Sequence, residues 1–398
     1  MRRADTKRDE PEDRPEEPAS SSPPRAPHGP THAAGHVAHG PHGHTHGAHG
    51  HGHGAHGHGH VAHGHHAAPT ALHVVAPRKA APAPVTYAEP LRVMTYNVRY
   101  FGHATRGIAS TSKAITRIAR TIASMETTPD LLCLQEVETQ SLRASSMTRL
   151  YYPEETQLDR LMTELTAALR HAKKPEQFKA YYFPAHKYRL TSRTNIYTTG
   201  LAVLAKDTLH VAHHNASSPH DITHRRMARR FKQTRICAHV AFERADGLRF
   251  DVFNTHLSLP SFLSRAFWTG DARMGFGRNQ VTEAEELLRF VDASRKSDNF
   301  LIVGDFNSLP GSPVDRLLRE EGGLLDAFRT VHGEPTDNEA RSFGTAGFLN
   351  LRMHLDHVYS SSKTRWLDFE GTEKFGAGGD FHGLSDHVPL IGRCCMPL

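Results

Sequence analysis

The chain has 398 residues, a formal net charge of +6, a pI of about 9.1 and four cysteines. That length allows one large or two ordinary domains, the cysteines are too few for a disulfide scaffold, and no apolar run is long enough for a signal peptide or a membrane span. Cytoplasm is the expected compartment, and because acids and bases nearly cancel in the first 27 residues, the basic excess belongs to the body and favours anionic partners such as phosphate esters.

Residues 1 to 27 are mainly Asp, Glu, Arg, Pro and Ser, a composition too polar to offset the entropy of ordering. Residues 28 to 66 are almost wholly His, Gly, Ala and Pro, with His42, His44, His46, His49, His51, His53, His56, His58, His60, His63, His65 and His66 in close succession. Two readings of that tract stand: a flexible chain that gathers neutral imidazoles around zinc, nickel or copper, or a low-complexity tail without a selected role. An Ala/Pro-rich linker, about 67 to 90, follows. The expected division is therefore a disordered tail and linker over 1–90 and a folded body over 91–398.

The body opens with a strand over 91 to 98 that ends near Asn97, then a loop, then a helix capped by Ser112 with Ile115, Ile118, Ala119 and Ile122 at helical spacing. A buried strand, Leu131 to Val137, runs into Glu136. A carboxylate on such a strand is costly unless paired, which points to a ligand rather than a packing residue. Cys133 and Cys237 sit in apolar runs and read as buried free thiols. A second amphipathic helix is expected over 155 to 173, then strands over 181 to 183 and 200 to 204. The basic stretch from Arg225 to Arg235 is either a solvated face or an attractor for a phosphate-bearing substrate. Asp246-Gly247 turns a strand over 234 to 242 back into one that ends at His256, a residue with acid/base chemistry.

Between His256 and a helix over 279 to 293 lies a long segment with Phe262, Arg265, Phe267, Trp268, Arg273 and Phe276. Loops of this length are often functional. It either overhangs the site, with Arg265 and Trp268 binding substrate, or folds back as a small satellite core. Residues 299 to 310 then form a buried strand ending at a loop, with Asp305 and Asn307 two apart and so on one side of an extended backbone. Ser312 and Pro313 start a short helix. A short strand carries Asp356, and Asp386-His387 precede the final strand. A carboxylate that accepts from one ring nitrogen fixes a histidine's tautomer, and Asp356 with His387 is the expected pair.

Asn97 after a strand, Leu134-Gln135-Glu136, Asn254-Thr255-His256-Leu257, Gly304-Asp305-Phe306-Asn307, Leu355-Asp356-His357 and Ser385-Asp386-His387, in this order, resemble the endonuclease/exonuclease/phosphatase superfamily. Six motifs in register over about 91 to 393 make a specific signal. The resemblance implies a four-layer α/β/β/α sandwich of two mostly antiparallel sheets, with a site where strand ends converge, and hydrolysis assisted by Mg2+ or Mn2+. It further implies that Glu136 holds the metal with Asn97 and Asp386 nearby, and that Asp305 and Asn307 contact the phosphoryl group, the water or a second ion. His387, oriented by Asp356, would activate water or stabilise the transition state, and His256 would bind phosphate or assist the leaving group. One departure is that several relatives carry a Glu before the strand matching 198 to 203, where it bonds the histidine matching His256; here the residues are Thr198-Thr199-Gly200.

The expected activity is hydrolysis of a phosphodiester or phosphomonoester, with a small-molecule or lipid substrate favoured and a nuclease acting on DNA or RNA as the alternative. A monomer is expected. Readings of other classes are a metal-handling protein acting through the His-rich tail and a silent scaffold that binds phosphorylated ligands.

Overall fold

Short apolar runs rich in Val, Ile and Leu form strands whose side chains alternate between two different cores. The structure is a computed structural model that describes residues 84–99, 111–138, 156–191, 194–224, 234–260, 273–334, 343–348, 351–371 and 379–398. The His-rich tract, Arg265, Trp268 and most of the basic stretch before Arg235 lie outside the described residues.

The first sheet contains β1 (Leu91–Asn97), β2 (Leu131–Glu138), β3 (Phe178–Thr191), β4 (Thr194–Lys206), β14 (Arg365–Gly371) and β15 (Leu390–Cys395), in the order β14-β15-β1-β2-β4-β3. The second contains β5 (Leu209–His214), β7 (Ile236–Arg244), β8 (Arg249–His256), β9 (Phe300–Asp305), β10 (Leu325–Asp326) and β13 (Asp356–Ser360), in the order β10-β13-β9-β8-β7-β5, with β6 (His220–Asp221) beside β7. Only β1 with β2 and β8 with β9 run parallel among these neighbours; the others are antiparallel. A hairpin of β11 (Ala346–Phe348) and β12 (Leu351–Met353) stands apart.

Val93, Cys133 and Val203 of the first sheet meet Val240, Val252, Leu301 and Val358 of the second in a shared core. The opposite face of the first sheet, with Met94, Leu132 and Leu204, is covered by α1 (Thr111–Ser124) and α2 (Gln157–His171). Phe253, Ile302 and Tyr359 on the second sheet's outer face are covered by α3 (Arg278–Ser294) and by α4 (Pro313–Arg316) with the π-helical turn Leu317–Glu321. This is the expected four-layer α/β/β/α sandwich. Leu158, Leu161, Leu165 and Leu169 of α2 are buried, each contributing about 1.5–3 kcal/mol relative to exposure. Thr156 and Asp159 cap that helix reciprocally.

Several local expectations shift. Helix α1 begins at Thr111, so Ser112 lies inside its first turn. The two short strands expected around Tyr181 and Leu201 are one long hairpin, β3 with β4, held by backbone pairing that polar residues sustain as well as apolar ones. Ordered chain also precedes β1: Ala88 N–H donates to Met396 O and Leu398 N–H to Thr86 O, with Ala88 buried in the shared core. Cys133 and Cys237 are buried free thiols, pushed upward in pKa by burial. No helix among the described residues is long and apolar enough to cross a membrane.

Candidate active site

The two parallel pairs bring their C-terminal ends to the same place. In the second sheet, His256 at the end of β8 lies opposite Asp305 at the end of β9, and Asp305 lies opposite Asp356 at the start of β13. Gly304 permits this close approach, because a Cβ there would lie 2.0 Å from Thr255 O. From the facing sheet, Asn97 Nδ2 donates to Asp305 Oδ2 at 2.9 Å and reaches Glu136 Oε1 at 3.4 Å. Asn97 Oδ1 accepts from Arg99 N–H at 3.0 Å, so the Asn97 amide links Asp305 to Glu136.

Glu136 does not sit at a plain strand end. The β2–β4 register shifts between Leu134 and Val137, and Glu136 has φ 56° in the left-handed region. Such a bulge re-aims one side chain without ending the strand, and the backbone strain costs on the order of 1–3 kcal/mol. Asn307 is likewise left-handed, at φ 48°. Strand alternation therefore stops at Asp305, contrary to the extended geometry expected for Asp305 and Asn307. They meet through a tight turn in which Asn307 N–H donates to Asp305 Oδ1 at 2.9 Å, while the Asn307 amide donates to Leu257 O.

The expected pair is present: His387 Nδ1 and Asp356 Oδ2 are 2.8 Å apart. The carboxylate only accepts, so Nδ1 carries the proton and Nε2 faces Asp305 Oδ2 at 3.8 Å. Thr345 Oγ1 accepts from Leu355 and Asp356 N–H and its carbonyl from Val388 N–H, fixing the approach of both partners. Ser385 Oγ donates to Asn97 O and accepts from His387 N–H, which ties His387 to β1. Asp386 pairs with Arg99. His256 Nε2 stands 3.5 Å from Asp305 Oδ2 and 3.9 Å from Glu136 Oε1. The structure thus brings Asn97, Glu136, His256, Asp305, Asp356 and His387 together, with Asn307 and Asp386 anchored at the edge.

Burial and then the Asp356 charge raise the Asp305 pKa. Burial also raises Glu136, only partly countered by His387. For His387, burial acts downward, but the charges of Asp356 and Asp305 and the Asp356 hydrogen bond outweigh it and push it up to about 10. Burial, then the charges of Arg235 and His387, hold His256 well below its usual value. These surroundings favour the protonated form of His387 and the neutral form of His256.

The ligand atoms of Asp305, Asp356 and His387 all lie within 4.8 Å of one another, but Asp356 Oδ2 and His387 Nδ1 are already spent on each other. The poorly partnered oxygens are Asp356 Oδ1, which is buried without a hydrogen bond, and the Glu136 carboxylate, whose hydrogen bond from Asn97 is long. An unpartnered buried carboxylate oxygen at Asp356 with the partly exposed Glu136 carboxylate nearby suits a hard divalent cation.

Several residues that hold the site together were not among the expected site residues, although Gln135 and Asn254 fall inside two of the motifs. Gln135 Nε2 donates to Asn254 Oδ1 at 2.8 Å, and Asn254 Nδ2 to Leu134 O and Ala202 O, bolting the sheets together beneath the site. Gln280, fully buried, donates to Asn307 O at 2.7 Å and accepts from Gly275 and Gly277 N–H. Glu283 accepts from Ser258 N–H and Oγ, both at 2.8 Å. The first turns of α3 thus hold the loops after β8 and β9. A carboxylate at Glu283 beside Ala284 and Leu287 on the apolar stripe was the available clue.

The sequence matches the Endonuclease/Exonuclease/phosphatase family over residues 94–387. No curated protein matches the chain. Among solved structures, an endonuclease/exonuclease/phosphatase from Beutenbergia cavernae DSM 12333 is similar with a TM-score of 0.51 at 18% identity, covering 77% of this chain and 72% of that one. One from Bacteroides vulgatus has a TM-score of 0.50 at 15% identity, covering 77% and 99%. A family protein from Bacteroides thetaiotaomicron has a TM-score of 0.50 at 14% identity, covering 79% and 100%. Likeness at these identities shows the fold.

Proposed function

The chain belongs to the endonuclease/exonuclease/phosphatase family, and from that premise we infer that it is a divalent-metal-dependent phosphoesterase acting on a small-molecule or lipid phosphoester. The observation that carries this reading is the convergence from two sheets of Asn97, Glu136, Asp305 and His256 around the Asp356–His387 pair. Glu136 would hold Mg2+ or Mn2+, with Asn97 and Asp386 beside it. When bound, that ion would supply electrostatic stabilisation of charge on the phosphoryl oxygens.

The chain's own residues do the rest. Asp305, raised in pKa, is a stronger base than an exposed carboxylate and takes the proton of the attacking water. Asn97 and Asn307 N–H hold its two oxygens in place. His387, doubly protonated and fixed by Asp356, donates from Nε2 to a phosphoryl oxygen as negative charge develops there. His256 is held toward its neutral form, so it hydrogen-bonds the phosphoryl group, and the leaving oxygen takes its proton from solvent.

The preference for an apolar substrate group rests on the composition of the segment between His256 and α3, which carries Phe262, Phe267, Trp268 and Phe276 with Arg265 and Arg273. The net charge of +6 favours the second reading, a nuclease. Assaying the whole chain with magnesium on phospholipid and small-molecule phosphodiesters and monoesters, alongside plasmid DNA, separates the two. Turnover of the small or lipid esters without plasmid nicking is expected. Efficient nicking at low enzyme would reverse the substrate preference, and no hydrolysis of any of them would remove the phosphoesterase reading.

A further inference from the structure

Arg235 lies just before β7, where that strand pairs with the catalytic end of β8. Cys237 is opposite Thr255, and Thr255 Oγ1 donates to Ile236 O at 3.2 Å, which sets residue 235 beside the chain leaving His256. Its backbone N–H donates to Thr223 Oγ1 at 2.7 Å. The side chain turns inward, leaving the residue 9% exposed, and Nε donates to Ser258 Oγ at 3.3 Å. Ser258 is itself immobilised, because Glu283 takes both its hydroxyl proton and its N–H.

Two features set this guanidinium apart. Among the described residues no carboxylate pairs with it, whereas Arg99, Arg244, Arg319 and Arg329 each have one. Its anchor, Ser258, lies two residues beyond His256 on the chain leaving the site, and its charge acts on both His256 and Glu136. A buried cation that no carboxylate touches directly is costly. The cost is offset if an anion arrives, and a guanidinium with one nitrogen anchored still offers its remaining donors to a tetrahedral oxyanion.

We propose that Arg235 is a substrate-binding residue, its guanidinium held by the Ser258–Glu283 pair so that it takes a non-bridging oxygen of the phosphoryl group bound in the active site. This rests on the phosphoesterase reading. It gives the basic stretch one specific role: the residue at its end enters the site as a fixed contact.

The test uses the whole chain and inorganic phosphate as probe, read both as calorimetric binding and as competitive inhibition, with Arg235→Ala, Arg235→Lys and Ser258→Ala. Arg235→Ala should weaken phosphate binding and raise KM about ten- to a hundredfold, with a smaller change in kcat. Arg235→Lys should recover part of the loss, and Ser258→Ala, which frees the guanidinium but keeps its charge, should show a smaller loss. Folded Arg235→Ala with wild-type phosphate affinity and KM would overturn the proposal. Should Arg235→Ala not fold, Arg235→Lys and Ser258→Ala decide by the same readouts, unchanged values in both overturning it. If the wild type binds phosphate through Arg235 but hydrolyses no phosphoester, the anion site stands and the phosphoesterase reading falls. If it hydrolyses phosphoesters and the variants behave as wild type, the reverse holds.

Discussion

Asp315 and Asp326, behind β13, have all their carboxylate oxygens taken, while Asp356 and Glu136 at the converging strand ends do not. Asp315 Oδ1 accepts from Tyr359 OH at 3.0 Å, and Oδ2 accepts from Gly311 N–H, Arg319 and Arg329. Asp326 accepts from Arg329 N–H at 2.8 Å and faces His357 Nδ1 at 3.3 Å. By contrast, Asp356 Oδ1 is buried without a partner, and Glu136 has a single long contact from Asn97. The pKa directions follow. Burial acts upward on Asp326 but the His357 hydrogen bond and charge hold it low, whereas burial and Asp356 hold Asp305 high. A saturated cluster fixes shape, and an unsaturated one is held at a cost in stability.

The largest effect that would break this comparison is catalytic. His387→Ala should lower kcat by about 10²–10⁴, and His387→Ala with Asp356→Ala should lose little more, since the two act as one unit. Losses that multiply in steady-state assays would show that the 2.8 Å contact is not the catalytic pairing. Next comes Asp315→Ala, which strands Arg329 and Tyr359 in the saturated cluster. It should cost about 3–5 kcal/mol in urea unfolding while leaving the magnesium dependence of the folded protein unchanged. Wild-type stability would mean that the saturated cluster is not structural.

The smallest effect has the opposite sign. Asp305 is raised from the usual carboxylate value to about 7, so as pH climbs from about 4, where the unfolded chain ionises, the folded state loses stability until it ionises too. Asp305→Asn mimics the neutral form and should stabilise the metal-free protein at pH 7, with the gain vanishing below about pH 4. For Asp326, held low, the stabilisation is instead present above about pH 4 and lost as pH falls. Thermal melts in which Asp305→Asn is less stable than wild type above about pH 4 would put Asp305 in the same class as Asp326.

The strands were legible in the sequence because apolar runs mark them, and the residues singled out by the family resemblance, Asn97, Glu136, His256, Asp305, Asp356 and His387, lie together in the structure. The turn chemistry at Ser312-Pro313 and at Asp246-Gly247 was equally plain. What stayed hidden depends on partners far along the chain. The bulge at Glu136 is a register event between β2 and β4. The left-handed turn at Asn307 follows from its contacts with Asp305 and Leu257. Arg235 looked like the tail of a charge run until Ser258 and Glu283, more than twenty and forty residues away, showed where its side chain goes. Arg265 and Trp268 stay proposals, outside the described residues.

The central claim is that the under-partnered Glu136 is kept for a divalent metal at a phosphoester-hydrolysing site. A magnesium titration of phosphodiester hydrolysis, comparing wild type with Glu136→Ala after stripping of metal, tests it most directly. Wild type should regain full activity with added magnesium, and a folded Glu136→Ala should turn over at least tenfold more slowly, an effect on the scale of one lost charged interaction, and require more magnesium for half its own maximum. Metal-stripped wild type that is already fully active, or Glu136→Ala that matches wild type at low magnesium, would contradict it.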